Sequence, residues 1–149
     1  METYKTAIPE ITLKYKTVEQ KKIKIGSPRD TYNILKILYD EDIVELLEIC
    51  IIIFLNRANA TIGWMKVSQG GLTSTIIDPR LILGTALKCA AVGIIVSHNH
   101  PSKQLNPSMS DISETDKLKK ACELFDITLF DCIIYTSDGY YSFADHKKI

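Results

Sequence analysis

The chain reads as a single α/β domain with a mixed β-sheet flanked by helices, and three observations predict it. Its 149 residues suit one domain with a sizeable core. Strand-like and helix-like segments alternate along the sequence, the order expected of helices packed on a sheet in two or three layers. Two runs, Ile49 to Leu55 and Val92 to Ser97, carry hardly a polar residue, as strands covered on both faces do.

Residues 1–23 form a strand-like extension in which Ile11, Leu13, Tyr15, Val18 and Ile23 alternate with polar residues; the domain proper is taken as 24–149. Ser27-Pro28-Arg29-Asp30 opens a helix, with Ser27 as N-cap and proline at the first helical position. Ile34, Leu35, Leu38 and Tyr39 supply its apolar face. Glu48 to Leu55 and Thr61 to Ser68 then form an antiparallel hairpin around Asn56-Arg57-Ala58-Asn59. Asp78-Pro79 starts a second helix, expected to run to about Ala91 and to face the sheet with Leu83, Ala86, Leu87 and Ala90. A third helix from Ser108 carries Ile112, Thr115, Leu118, Cys122 and Phe125 on one side. Beyond it come strand-like segments at Ile127 to Leu129 and Cys132 to Tyr135, then a Ser137-Asp138-Gly139 turn before Tyr140 to Phe143.

Composition narrows the function classes. Apolar residues make up 46% and charged residues 24%, as in an ordinary globular protein rather than a disordered one. No apolar run reaches the roughly 18 residues needed to span a bilayer, and the N-terminus has no signal-peptide pattern, so a cytoplasmic location without membrane partners is expected. Cys50, Cys89, Cys122 and Cys132 sit in apolar contexts without Cys-x-x-Cys spacing and read as reduced core residues. Formal charge is balanced, but Lys5, Lys14, Lys16, Lys21, Lys22 and Lys24 outnumber the acids of the first segment. That lysine set reads first as a solvated N-terminus and second as a nucleic-acid arm.

The chemistry is concentrated at His98-Asn99-His100-Pro101, followed by Ser108 and Asp111. Residues i and i+2 at a strand end project from the same face, so both imidazoles reach one ion, and Pro101 stops the strand behind them. Asp111 offers a third ligand from the first turn of the helix. Three protein ligands leave a tetrahedral ion one open position, the arrangement of a catalytic zinc rather than a structural one. Ser108 and Asp111 also fit a plain capping pattern, N-cap and N3. The bland reading of each residue alone leaves their conjunction at one strand-to-helix junction unexplained.

The spacing His-x-His, seven residues, Ser, two residues, Asp resembles the JAMM motif of the JAB/MPN metalloproteases. Leu55-Asn56-Arg57-Ala58-Asn59, Gly70-Gly71-Leu72, Asp78-Pro79-Arg80, Ala86-Leu87-Lys88, Ser97-His98-Asn99-His100-Pro101-Ser102 and Tyr140-Tyr141-Ser142-Phe143-Ala144-Asp145 resemble the RadC-type branch, known as DNA repair proteins. The resemblance runs from about Lys24 to the C-terminus and implies a JAB/MPN, cytidine deaminase-like fold. It has no counterpart to the helix-hairpin-helix region of longer members, and Lys103 stands where that branch commonly has glycine.

What the resemblance implies is metal-assisted hydrolysis with one Zn2+ per chain on His98, His100 and Asp111. It also implies an upstream glutamate as general base, best matched by Glu48, whose bland reading is a solvated residue in the acidic cluster of Glu41, Asp42 and Glu45. Ser108 would donate a hydrogen bond to the oxyanion. A peptide or protein substrate is the first expectation. A DNA repair-associated nuclease or nucleic-acid-binding factor is the second, and a metal-binding interaction module with little turnover the third. Lys103 is expected at the rim of the cleft, either drawing acidic substrates or pointing idly into solvent.

Overall fold

The computed structural model describes residues 8–12, 14, 21–70 and 77–149. Most of the strand-like extension, with Lys5 and Lys16, and the Gly71-Leu72 part of one RadC-like phrase lie outside these residues. Among the described residues the N-terminal part pairs only through an isolated bridge between Lys24 and Ala60.

Helix α1 spans Pro28–Leu38, with the Ser27 side chain accepting from the Asp30 amide and Pro28 at the first turn. Strands β1 (Ile49–Leu55) and β2 (Thr61–Gln69) form the expected hairpin. Its turn is held by Asn56, whose Oδ1 accepts from the amides of Ala58 at 2.9 Å and Ala60 at 3.1 Å. Helix α2 is Pro79–Lys88 and is capped by Asp78. It ends short of Ala91 because Ala90 adopts a left-handed conformation, φ 53°, that turns the chain into β3 (Gly93–Asn99). Helix α3 covers Met109–Glu123, so Phe125 falls beyond its end and is half exposed rather than facing the core. Strands β4 (Thr128–Thr136) and β5 (Gly139–Ser142) complete the chain.

The segments expected at Ile127 to Leu129 and Cys132 to Tyr135 are thus one strand. Asp131 disguised its continuity, a carboxylate 4% exposed in mid-strand. It is tolerated there because Ser142 Oγ donates to it, as do the amides of Cys132 and Ala144. Beside it the register slips between Ile94 and Ile95, letting the Phe130 ring lie over Gly93, where any Cβ would run into that ring.

The sheet order is β2-β1-β3-β4-β5, with β3 and β4 parallel and the other neighbours antiparallel. Alternation along β1 builds three layers. Cys50, Ile52 and Phe54 pack with Ile82, Ala86, Leu118 and Cys122 under α2 and α3. Ile49, Ile51, Ile53 and Leu55 pack with Tyr32, Leu35 and Tyr39 of and beside α1. Both faces being covered, β1 is isoleucine-rich throughout, as the sequence pattern required. Among the described residues no helix is long and apolar enough to cross a membrane.

Candidate metal centre

The period of the strand decides which face each motif residue takes. Val96 and Cys50 belong to the α3 side, and His98 pairs directly with Cys50, so His98 and His100 emerge on that side at the end of β3. Glu48, two residues before Cys50, shares their face at the mouth of β1. Ser97 and Asn99 point the other way, where Ser97 Oγ meets the Tyr39 hydroxyl at 3.0 Å.

Across the cleft the loop 100–108 leads into α3, whose first turn is a complete capping box. Ser108 Oγ accepts from the Asp111 amide at 3.0 Å, and Asp111 Oδ2 accepts from the Ser108 amide at 2.7 Å. The same cap aims the Asp111 carboxylate at the histidines. The capping and ligand readings of Ser108-x-x-Asp111 therefore describe one geometry. The cap consumes an acceptor site of the Ser108 hydroxyl and leaves its proton uncommitted.

His98, His100 and Asp111 form a cluster able to hold a metal ion, as in JAB domains. His98 Nε2 lies 3.1 Å from His100 Nε2 and 3.3 Å from Asp111 Oδ1, and His100 Nε2 lies 3.4 Å from Asp111 Oδ2. Donors about 2.0–2.1 Å from an ion at tetrahedral angles stand about 3.4 Å apart, and each of these separations is close to that, with the two histidines approaching different oxygens of the Asp111 carboxylate. The His100 ring is oriented by its Nδ1, 2.6 Å from the Gln104 carbonyl, which makes Nδ1 the protonated nitrogen and frees Nε2 for a metal. His98 has no such partner: its Nδ1 is buried and unpaired.

Electrostatics at the site follow from burial against charge. Burial alone would depress His98, but the Asp111 carboxylate and the nearby Cys132 side chain together outweigh it and raise the imidazole to about 10. Burial would raise Asp111, yet the two imidazoles hold it far below the usual carboxylate range. Glu48 moves upward through burial, opposed by His98 and His100. Its carboxylate makes no hydrogen bond or ion pair with a described residue.

Sequence reasoning missed three contributors. The Gln104 carbonyl had no sequence signal, since any residue supplies one. Glu114 did: three positions beyond Asp111, it shares the inner face of α3, half-buried and raised by burial and then by Asp111. Asn99 was passed over as the variable residue between two histidines, although strand alternation sends it to the opposite face. Lys103 sits at the edge of the site loop with φ 64°, and its Nζ contacts Glu45 at 2.8 Å and Asp138 at 3.3 Å. With two carboxylates on it, the lysine ties loops together and is neither idle in solvent nor free for an acidic substrate. The cysteines are free, with Cys50, Cys122 and Cys132 buried and Cys89 half-buried, in line with core roles.

This three-layer α/β domain with a His-His-Asp cluster matches the family model described as RadC-like JAB domain over residues 25–148. Similar proteins include a UPF0758 protein of Flavobacterium johnsoniae, 39% identical over 122 residues, which are 82% of this chain and 52% of that one. Another, from Aquifex aeolicus, is 34% identical over 93% of this chain and 58% of its own length. One from Clostridium perfringens is 33% identical over 93% of this chain and 60% of its own. The chain belongs to the RadC-like JAB domain family, and it spans between half and two thirds of the length of these relatives.

Proposed function

We propose that this protein is a zinc-dependent hydrolase of amide bonds, of the peptidase or isopeptidase kind. The observation that carries the reading is the convergence of His98, His100 and Asp111, with separations of 3.1–3.4 Å, beside a half-buried glutamate on the same face that pairs with no described residue. Zinc held by His98 Nε2, His100 Nε2 and the Asp111 carboxylate would supply Lewis-acid polarisation of the substrate carbonyl and acidification of water. The protein groups do the rest. The Glu48 carboxylate takes the proton of the attacking water and delivers it to the leaving nitrogen, a task for which its upward shift makes it a stronger base than an exposed carboxylate. Ser108 Oγ donates its uncommitted proton in a hydrogen bond to the carbonyl oxygen as charge develops there. Asp111 is held anionic by the imidazoles and by its cap, and the Gln104 carbonyl on His100 Nδ1 keeps that ring turned with Nε2 toward the site.

The test uses the full chain loaded with zinc, offered a mixture of quenched fluorogenic peptides, lysine isopeptides and short DNA strands. Chelator-sensitive amide cleavage is expected. Glu48→Gln should retain about one zinc per chain and lose on the order of a hundredfold or more in rate. Zinc retained in full by a His98→Ala, His100→Ala double variant would overturn the ligand assignment. Cleavage of DNA alone would put the nuclease reading in its place, and metal binding without turnover would leave an interaction module.

A further inference from the structure

Asn99 lies between the two histidines and is completely buried. Its Nδ2 donates to the Val44 carbonyl at 2.6 Å and the Leu47 carbonyl at 2.8 Å, and its Oδ1 accepts from the Ile49 amide at 2.6 Å. An asparagine amide has two hydrogens to give, and here both go to one short segment. The three bonds straddle Glu48. We infer that Asn99 is a positioning residue, fixing from the α1 side of the sheet the backbone that presents Glu48 to the metal ligands on the other side. The inference rests on the proposed role of Glu48.

The geometry makes the coupling direct. His98 and His100 are the immediate chain neighbours of Asn99, so the side chains of three consecutive residues are shared between two faces: two toward the ion, one toward the segment bearing the base. Val44 and Leu47 belong to the turn between α1 and β1, and their carbonyls have no hydrogen-bond donor among the described residues other than Asn99. Residues 44–49 are held otherwise by the Gly70 amide on the Glu48 carbonyl at 2.8 Å, by the amides of Val44, Leu46 and Leu47 on the Asp40 and Ile43 carbonyls, by the Tyr39 hydroxyl on the Ile49 carbonyl at 3.3 Å and by the exposed Glu45–Lys103 pair. Asn99 is thus the side chain that ties both flanks of Glu48 to the strand bearing the histidines. A base must stand within hydrogen-bond reach of its water, so about 1 Å of drift in this segment is enough to silence it.

The test compares zinc-loaded full chains carrying Asn99→Ala, with Asn99→Ser as the milder companion should alanine impair folding. The variant should keep about one zinc per chain. Its Ile49 amide should exchange with solvent on the order of tenfold faster, having lost its acceptor. Hydrolysis of the fluorogenic peptide mixture should fall toward the rate of Glu48→Gln, and adding Glu48→Gln to Asn99→Ala should cost little more, as for two residues serving one step. Unchanged Ile49 exchange, losses that multiply in the double variant, or loss of zinc from both Asn99 variants would overturn the inference. A fully active Glu48→Gln would remove the base assignment itself and the inference with it, a result distinguishable because it appears without touching Asn99.

Discussion

His98 stands 4% exposed against a carboxylate, and this decides how the site responds to pH. Without metal, Asp111 and Cys132 keep the ring protonated up to about 10, although burial pulls the other way. An ion must then displace that proton from Nε2. Affinity for zinc is therefore expected to rise with pH through the neutral range, by up to about tenfold per unit for one proton released. Competition titrations at pH 6, 7 and 8 check this, and a flat profile would mean that His98 is already neutral. Glu114 bears on Glu48, the proposed base. Its charge raises Glu48, so Glu114→Gln should move the acidic limb of the kcat/KM profile to lower pH while zinc stoichiometry stays unchanged. A limb that stays in place, or moves up, would separate Glu114 from the site. The His-His-Asp cluster was legible in the sequence because a strand end and the next helix start bring its members together within one short stretch. Glu48 was not legible from its own surroundings, since its place depends on the pairing of β1 with β3.

At the scale of elements, helix starts were the most readable features. Ser27-Pro28, Asp78-Pro79 and Ser108 each cap through a side chain that accepts a backbone amide. Ends were harder. The early stop of α2 depends on a left-handed alanine, and the continuity of β4 depends on Asp131 finding Ser142 from the next strand. Neither condition is visible before the chain is folded. Loop 100–108 shows the same contest between local and tertiary preference, because Lys103 occupies a left-handed conformation that favours glycine. The Glu45 and Asp138 carboxylates offset that cost only while their charges act. Lys103→Gly should therefore relieve the backbone and remove the dependence on ionic strength: the parent should lose stability as salt rises, and the variant should not. Urea titrations at low and high salt make the comparison, and parallel salt responses would deny the clamp any role.

Across the whole molecule, the three layers follow from two alternating, doubly covered strands, which is why the fold class could be read from apolar runs alone. The candidate metal ligands join the layers at one end: His98 and His100 lie at the end of β3, and Asp111 opens α3 beyond a loop. That junction brings three metal-ligating side chains together only in the folded chain, so an ion bound there stabilises the native state. The unfolded chain has no such cluster and binds far more weakly. Zinc at a hundred times its dissociation constant should add about 2.7 kcal/mol to unfolding stability. For a domain of 149 residues that corresponds to a rise in Tm of roughly 5–10 °C. Thermal melts with zinc and with chelator measure it. Serine at the four cysteines should leave the zinc-dependent increment intact, whereas His98→Ala should abolish it. An increment that survives loss of both histidines would place the bound metal elsewhere on the chain, and no increment in the parent would mean that the folded chain does not take up zinc, which would overturn the site.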